Sequence, residues 1–399
     1  MNDVNLEEAL ASSLARHAER APRPPADLSR QVAVKHRRRR VTRVTSAATS
    51  VALAVAALTF GIQGLAREDR DPSLINPAVV TPKSKPIEKQ WPGAVQQIPA
   101  KLPDGTRFTP VDYVNDTTLV IATWRSSSVA SALFTYDLTT HRTVKLAFPV
   151  QSPKVTATHD FTVGSGRVGW LSKSKNSTEI WTAPVSGGPA AKLYTGPVFP
   201  AADVSSLTLT GDSAYWSLTT GGVFRAALAG GAAQKLPGTD RMRLMSWPWA
   251  GGPAYDDGGS AMAADAPLQV AYKDIRNLVT GERRSFTPEV KRRWTCAVTW
   301  CVDERRASSR DGRRIVRPSS GHIFNGTAWG PALDRFVTMH GDGPSMSETS
   351  QQTLIDLETG KGGTFSLRRG DGAPLLDGGR LHYYARGTSY LLVDLSKIS

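Results

Sequence analysis

Two cysteines, Cys296 and Cys301, form the pair whose spacing points most directly to chemistry. They are separated as Cys-x4-Cys, and the chain has no further cysteine. A pair with no leftover thiol favours a disulfide in an oxidising compartment, and two buried thiols are the alternative. A zinc site would require a second Cys or His pair, and none lies nearby. The sequence therefore predicts a local disulfide if this region lies outside the cytoplasm.

No other pattern of side chains predicts catalysis or a cofactor. The sequence has no G-x-S-x-G elbow, no H-E-x-x-H or Walker motif, and no G-x-G-x-x-G motif in a strand–turn–helix context. Its later histidines are scattered, so we expect surface or strand positions and not metal ligands. These are His141, His159, His322, His340 and His382. We predict no catalytic, cofactor-binding or metal-binding residue.

The formal net charge of +14 does not by itself indicate nucleic-acid binding. Residues 1–45 contribute +5, and the remaining +9 is distributed over roughly 350 residues. Nucleic-acid binding would require clustered basic residues interleaved with aromatic side chains on one face. The dense basic cluster instead stands before an apolar stretch, where membrane topology explains it better. It consists of Lys35, Arg37, Arg38, Arg39, Arg40 and Arg43.

The apolar stretch, residues 44–66, contains no charged residue and predicts a transmembrane helix. Its 23 residues would form about 34 Å of helix, enough for a hydrocarbon core of about 30 Å. The basic cluster on its N-terminal side places the N-terminus in the cytoplasm and residue 67 onward outside. We favour an uncleaved single-pass anchor in the cell membrane. A signal peptide cleaved after Ala66 and a buried core helix are the alternatives.

The predicted cytoplasmic tail, residues 1–43, begins with a helix that Asn5 could cap. Leu6, Leu10 and Leu14 give this helix a narrow apolar stripe. The stripe could bind a cytoplasmic regulator, or the helix could only space the anchor, because so short a helix is weak alone in water. Residues 67–93 are rich in proline and predict an extended stalk.

Residues 94–399 repeat a strand, a turn and a short returning strand. Equivalent positions recur about every 43 residues, a period typical of a β-propeller blade. A β-sandwich is the competing fold, but it provides no reason for this period. The markers are Leu138, Val185, Leu228, Leu278, Pro318, Leu357 and Leu395.

The repeats predict seven blades, with six as the alternative. Turn signals upstream of the markers, including Ser165-Gly166, Gly211-Asp212 and Gly258-Gly259, predict the hairpins between inner strands. The last repeat ends before a fourth strand could form. Residues 94–102 could supply that strand, and pairing of the two chain ends would remove two exposed sheet edges.

The layout resembles a family of membrane-anchored propellers. Residues 309–315 match the S-x-D-G-x-x-I hairpin of TolB-type repeats. With the Pro-containing tail, Arg37–Arg40, the apolar span, the stalk and Thr299-Trp300-Cys301, the chain resembles the uncharacterised membrane-anchored TolB-like/WD40-like propeller proteins of high-GC Gram-positive bacteria. The resemblance implies location and fold, and it transfers no catalytic residue. The tail is also similar in layout to membrane anti-sigma factors, but the His-and-Cys zinc motif that some of them carry is missing.

Three functions are compatible with this organisation. The first is a non-catalytic scaffold outside the cytoplasm that binds a protein, peptide or glycan. The second is a transmembrane sensor or anti-sigma-like regulator that signals through its tail, and the third is an enzyme with its active site at the channel mouth. Function depends on the site and not on the fold. Trp247-Pro248-Trp249 could form a binding edge, or it could pack between blades.

Overall fold

The computed structural model describes residues 78–80, 85–148, 154–197, 203–252, 270–288, 293–325, 330–341, 352–367 and 379–399. The predicted tail (1–43) and transmembrane segment (44–66) lie outside these residues. Among the described helices, none has the length and apolar composition needed to cross a membrane. Pro72–Ser399 form one compact unit.

The described part of this unit begins with two short strands and one helical turn. These are β1 (Ala78–Val80), β2 (Lys85–Pro86) and α1 (Ile87–Gln90), followed by a 3-10 turn at Pro92–Ala94 and by β3 (Val95–Pro99). The structure places residues 85–93 in the domain, although the sequence predicts them in the stalk. The reason is apolar burial, since Ile87 and Trp91 are 0% and 6% exposed. In an extended stalk both side chains would be exposed to water, so their burial in the domain is favourable.

The remaining strands form blades of an all-β propeller, which we number in chain order. The core of each blade is an antiparallel sheet, and in blades one to six its four strands come from one stretch of the chain. The first three blades comprise β4 (Phe108–Tyr113), β5 (Thr118–Trp124), β6 (Ala130–Asp137) and β7 (Thr143–Lys145); β8 (Val155–Gly164), β9 (Arg167–Ser174), β10 (Ser177–Pro184) and β11 (Ala191–Pro197); and β12 (Val204–Thr210), β13 (Ser213–Leu218), β14 (Val223–Ala227) and β15 (Gln234–Lys235).

Of the next three blades, the fifth and the sixth carry additional strands at their edges. β18 pairs in parallel with β21, β1 with β24 and β2 with β28. Blades four to six comprise β16 (Arg243–Ser246), β17 (Trp249–Gly251), β19 (Asp274–Asn277) and β20 (Arg283–Ser285); β21 (Trp294–Cys296), β22 (Trp300–Asp303), β23 (Arg306–Ser309) and β24 (Ile315–Pro318); and β25 (His322–Asn325), β26 (Phe336–Gly341), β27 (Thr353–Asp356) and β28 (Gly362–Thr364). β18 (Val270–Ala271) follows β17 in the chain but belongs to the sheet of blade five.

The seventh blade closes the ring with strands from both ends of the domain. Its described strands are β29 (Leu381–Arg386), β30 (Ser389–Asp394) and β3. β3 pairs antiparallel with β30, in a register that places Ile98 opposite Tyr390. The predicted closure by residues 94–102 is therefore confirmed, and so is the prediction of seven blades. A final 3-10 turn spans Leu395–Lys397.

Hydrophobic clusters lie between neighbouring blades. In the described residues there are seven, and each joins the strands of two successive blades. One of them joins Ile98 and Leu392 of blade seven to Phe108 and Leu119 of blade one. Both faces of a blade are therefore buried, and second strands such as β5 are almost continuously apolar in place of alternating. This packing explains the fully buried run from Leu119 to Ala122.

The turn after the third strand has the same pattern in three blades. In blades one, four and six an Asp or Asn side chain accepts backbone N–H bonds from residues two or three positions later. Four positions after it, the chain has positive φ at His141, Gly281 and Gly360. Such turns depend on local sequence, which is why they could be predicted.

One backbone hydrogen bond recurs in all seven blades. The N–H of the residue after the third strand donates to the carbonyl just before the second strand, at 2.8–3.0 Å. Six predicted markers hold this position. The exception is Pro318, which lies at the end of a fourth strand, and the equivalent residue of blade five is Arg310. The marker prediction was wrong there because a charged residue replaces the apolar one.

A second correction concerns the inner hairpin of blade four. The sequence predicts its turn at Gly258-Gly259, but the turn between β16 and β17 lies at Trp247-Pro248, joined by a cis peptide bond. Residues 258 and 259 lie outside the described residues. Gly258-Gly259 resembles the Gly-containing turns of the other blades. The actual turn is formed by Trp247 and Pro248, which the sequence suggests as part of a binding edge.

Candidate functional site

Positive charge is concentrated in the fourth and fifth blades. Residues 273–317 contain thirteen Lys and Arg but only six Asp and Glu. The even distribution assumed for residues beyond 45 is therefore wrong, because this segment of 45 residues holds +7 of the +9. Such a concentration attracts anionic partners and increases their rate of association.

A cavity of about 240 Å³ lies between blades four and five. Residues at the end of β20 form one side, and residues of β23, β24 and the turn between them form the other. We call this cavity and its rim the basic seam. Its lining residues are Ser285, Phe286, Thr287, Arg306, Ser308, Arg310, Asp311, Gly312 and Ile315. Ser285 and Thr287 are exposed, so the cavity opens to solvent.

Arg310 joins the two blades at this seam. Its guanidinium donates hydrogen bonds to the carbonyl oxygens of Ala297 in blade five (2.9 Å) and of Lys273 and Tyr272 in blade four (2.8 and 2.7 Å). Burial lowers the pKa of Arg310 to about 10, so the side chain remains charged at neutral pH. Beyond these three bonds, each terminal nitrogen carries a second N–H.

Arg306 lies on the same wall and is 8% exposed. Its guanidinium carbon is 5.2 Å from the ring centroid of Trp294, which is a cation–π contact. Arg314 makes the same type of contact with Trp300, at 4.7 Å. Both indole rings are buried, so these contacts orient the arginines and leave no ring face for a ligand.

The inner hairpin of blade five is held in place beside Arg310. Cys296 and Cys301 lie opposite each other in β21 and β22 and form a disulfide. Asp334 of blade six accepts hydrogen bonds from the backbone N–H groups of Thr299 and Trp300, at 2.8 and 3.1 Å. Burial raises the pKa of Asp334, against these hydrogen bonds. The hairpin therefore presents the Ala297 carbonyl to Arg310 from a fixed position.

The chemistry of the cavity is that of anion binding. Its titratable lining residues are two arginines and Asp311. A hydrogen bond from the Ser309 hydroxyl lowers the pKa of Asp311, so this carboxylate is a poor proton acceptor near neutral pH. The cavity lining offers donors and fixed charge, and it contains no paired nucleophile and base.

The other residues singled out from the sequence do not meet at this site. Lys35, Arg37 to Arg40 and Arg43, as well as Leu6, Leu10 and Leu14, lie outside the described residues. Within the described ranges, no group of three His, Cys, Asp or Glu side chains is arranged to hold a metal. Trp247 stacks on Tyr215 of blade three, with 3.5 Å between ring centroids, which favours packing between blades over a binding edge.

Sequence reasoning missed Arg306 and Arg310. The signal that could have found them is the local excess of basic residues over 273–317, which was obscured when charge was averaged over the whole domain. Arg310 also stands inside the TolB-like hairpin motif, but that motif indicates a turn and not a binding residue. Which loop residues face them across the seam could not be inferred from either signal.

No family model matches the chain, and no curated protein matches it. Among solved structures it is similar to a YCF48 bound to D1 peptide (10% identity, TM-score 0.45, 75% of this chain and 95% of that one). It is similar also to the uncharacterized protein lmo1340 from Listeria monocytogenes EGD-e (8%, 0.44, 76% and 96%) and to BamB from Moraxella catarrhalis (12%, 0.34, 73% and 86%). The propeller assignment rests on the seven sheets and the seven clusters between them.

Proposed function

We propose that this chain is a non-catalytic binding scaffold whose propeller binds a protein or peptide partner through the basic seam. The observation that carries the proposal is the coincidence of the cavity with the concentrated positive charge of residues 273–317. A propeller supports such a role because its rigid blades hold loops and seams in fixed relative positions. Its function is argued from this site and not from the fold.

The proposal includes location. Residues 44–66 anchor the chain in the cell membrane as a single span, with residues 1–43 in the cytoplasm and the propeller outside. The support is the uncharged stretch with its basic cluster on the N-terminal side and the paired cysteines, which suit an oxidising compartment.

Topology is tested with the full-length chain carrying one tag at each end. In intact spheroplasts, we expect an external protease to remove the C-terminal tag and to leave the N-terminal tag protected. Recovery of the full-length chain from the soluble cytosolic fraction would overturn the anchor.

Partner binding is tested by photo-crosslinking in living cells. A photo-reactive residue replaces Thr287 at the opening of the basic seam, and in a matched control it replaces Ser127, an exposed residue of blade one. The scaffold predicts a discrete crosslinked protein from position 287 and none from position 127. Identical patterns from the two positions, or no crosslink at all, would contradict the proposed function.

A further inference from the structure

Building on the proposed function, we infer that the basic seam recognises an acidic segment of the partner, with a glutamate carboxylate bound at Arg310. The inference concerns the chemical class of the ligand. It follows from the donors, the walls and the rigidity of the cavity.

The donors of the cavity match a carboxylate. Beyond the three bonds of Arg310 to carbonyl oxygens, each of its terminal nitrogens carries a second N–H. Planar guanidinium groups bind carboxylates through paired N–H bonds. The net positive charge of residues 273–317 adds a field that favours an anion over a neutral amide.

The walls distinguish a glutamate side chain from other anions. Phe286 and Ile315 supply apolar surface that the methylene groups of a glutamate can contact. Asp311 lines the same cavity, and its negative charge repels a phosphate dianion more strongly than a carboxylate.

Nucleic acid is disfavoured as the ligand because the aromatic rings at the seam are buried. Single-stranded nucleic acids are held by exposed aromatic faces as well as by positive charge. The rings beside these arginines, Trp294 and Trp300, are buried. The exposed large hydrophobic side chains of the described residues are Val144, Val279 and Leu333, and none is aromatic.

The site is organised before a ligand arrives. Arg310 is fixed by carbonyl groups of two blades, and Arg306 is buried against Trp294. Little side-chain freedom therefore remains to be lost on binding, which favours affinity from few contacts.

The inference is tested by the affinity of the full-length protein in detergent for two fluorescent decapeptides. One alternates Gly with Glu, and the matched peptide alternates Gly with Gln. We expect the Glu peptide to bind at least about tenfold more tightly and its affinity to fall as salt is added. Equal affinity for the two peptides would overturn the inference.

Variants at the opening assign the binding to the seam. Thr287→Glu and Ser285→Glu each place a negative charge beside the cavity at an exposed position, which spares the core. We expect each to weaken binding of the Glu peptide about tenfold, whereas the control Ser127→Glu leaves it unchanged. A loss shared by the control would show that only net charge matters, and it would overturn the site.

Two further probes separate the sources of anion. Inorganic phosphate should not displace the peptide at the concentration at which free glutamate does, and displacement by phosphate alone contradicts the argument from Asp311. Phosphatidylglycerol added to the detergent micelles should not displace the Glu peptide. A lipid headgroup replaces the acidic partner if this lipid binds the wild type more tightly than Thr287→Glu and the two peptides are not discriminated.

The experiments distinguish failure of the acidic-ligand inference from failure of the proposed scaffold function. If position 287 crosslinks to a protein but the peptides are not discriminated, the scaffold remains and its acidic ligand is rejected. If neither position crosslinks and neither peptide binds, both proposals are rejected.

Discussion

The backbone N–H of Arg310 donates to the carbonyl oxygen of Thr299 at 2.8 Å, in the position where the other six blades have Leu or Val. The bond requires only the backbone, so it is retained while the side chain differs. Blade five thereby directs a guanidinium into the seam with blade four. A residue that maintains the repeat also builds the candidate binding site.

Replacing Arg310 by the residue typical of the repeat should destabilise the protein. Arg310→Leu removes three hydrogen bonds and leaves the carbonyl groups of Ala297, Tyr272 and Lys273 without this donor. We expect the free energy of unfolding to fall by about 2–4 kcal/mol. Urea unfolding measures this free energy. The control is Arg313→Leu, at an exposed position, which should lower it by less than about 0.5 kcal/mol. Equal stability of the two variants contradicts this role.

Closure of the ring should depend on an ion pair in blade seven. Arg380 donates to both carboxylate oxygens of Asp394, at 2.7 and 2.6 Å, and the Asp394 side chain is 2% exposed. Arg380→Met removes both guanidinium bonds from a buried carboxylate that keeps only Lys397 at 3.7 Å and the bonds from Ser396, and we expect a loss of about 3 kcal/mol. Arg386→Met, which removes a more exposed pair with Glu88, should cost about 1 kcal/mol or less. A smaller loss for Arg380→Met than for this control is the contrary outcome.

Asp112, at the seam of blades one and seven, should make stability decrease as pH rises from about 4 to about 6. Burial raises the pKa of Asp112 to about 6, although a hydrogen bond from the Tyr113 N–H and the charge of Arg380 act against it. The folded state then binds a proton that the unfolded state, with a pKa near 3.9, has released. The stabilisation is complete below the unfolded value and is lost as pH passes the folded one.

The Asp112→Asn variant isolates this effect. Its amide oxygen can still accept the Tyr113 bond, but it does not titrate. We expect the wild type to lose about 2 kcal/mol relative to this variant between pH 4 and pH 7. Chemical unfolding at each pH measures the difference, and parallel stability curves for the two proteins would falsify the assignment.

The segment before β3 should contribute to stability, although its composition resembles a stalk. Trp91 is buried in the cluster of blades six and seven with Ile87 and Phe365. Trp91→Ala should lower the free energy of unfolding by about 3–5 kcal/mol. Lys89→Ala, at an exposed position of α1 just before Trp91, should have little effect. Indistinguishable melting temperatures would show that this segment does not support the core.

The Cys296–Cys301 bond closes a short loop, so its loss should be tolerated. The double variant Cys296→Ser, Cys301→Ser should be less stable by about 2 kcal/mol, the amount expected from loop closure. Without reductant, thiol reagents should modify neither cysteine of the unfolded wild type. Modification of both, with unchanged stability in the double variant, would contradict a disulfide in the native protein.

The number of blades and the closure of the ring could be predicted from the sequence because both depend on local signals. Turns such as those at Asp137 and Asp356 are formed by side chains that bond to their own backbone. Their regular spacing reflects one supersecondary unit repeated along the chain. An incomplete last repeat then predicted that β3 would complete the seventh blade.

Where a local signal is replaced, prediction from the sequence fails. Arg310 interrupts the apolar markers, and a Trp-Pro turn occupies the place expected for Gly258-Gly259. Proline made the residues before β3 look like a spacer, because composition does not reveal that Ile87 and Trp91 find a partner on blades six and seven.

The sequence by itself determined the repeat, the turns and the total charge of this protein, because each depends on residues near one another in the chain. The tertiary structure alone decided that Thr287 of blade four's last loop and Arg306 of blade five share one cavity. Contacts between blades arise from packing of whole sheets, so the spacing of two residues in the sequence does not predict whether they meet there. The candidate binding site is therefore a feature that only the tertiary structure decided.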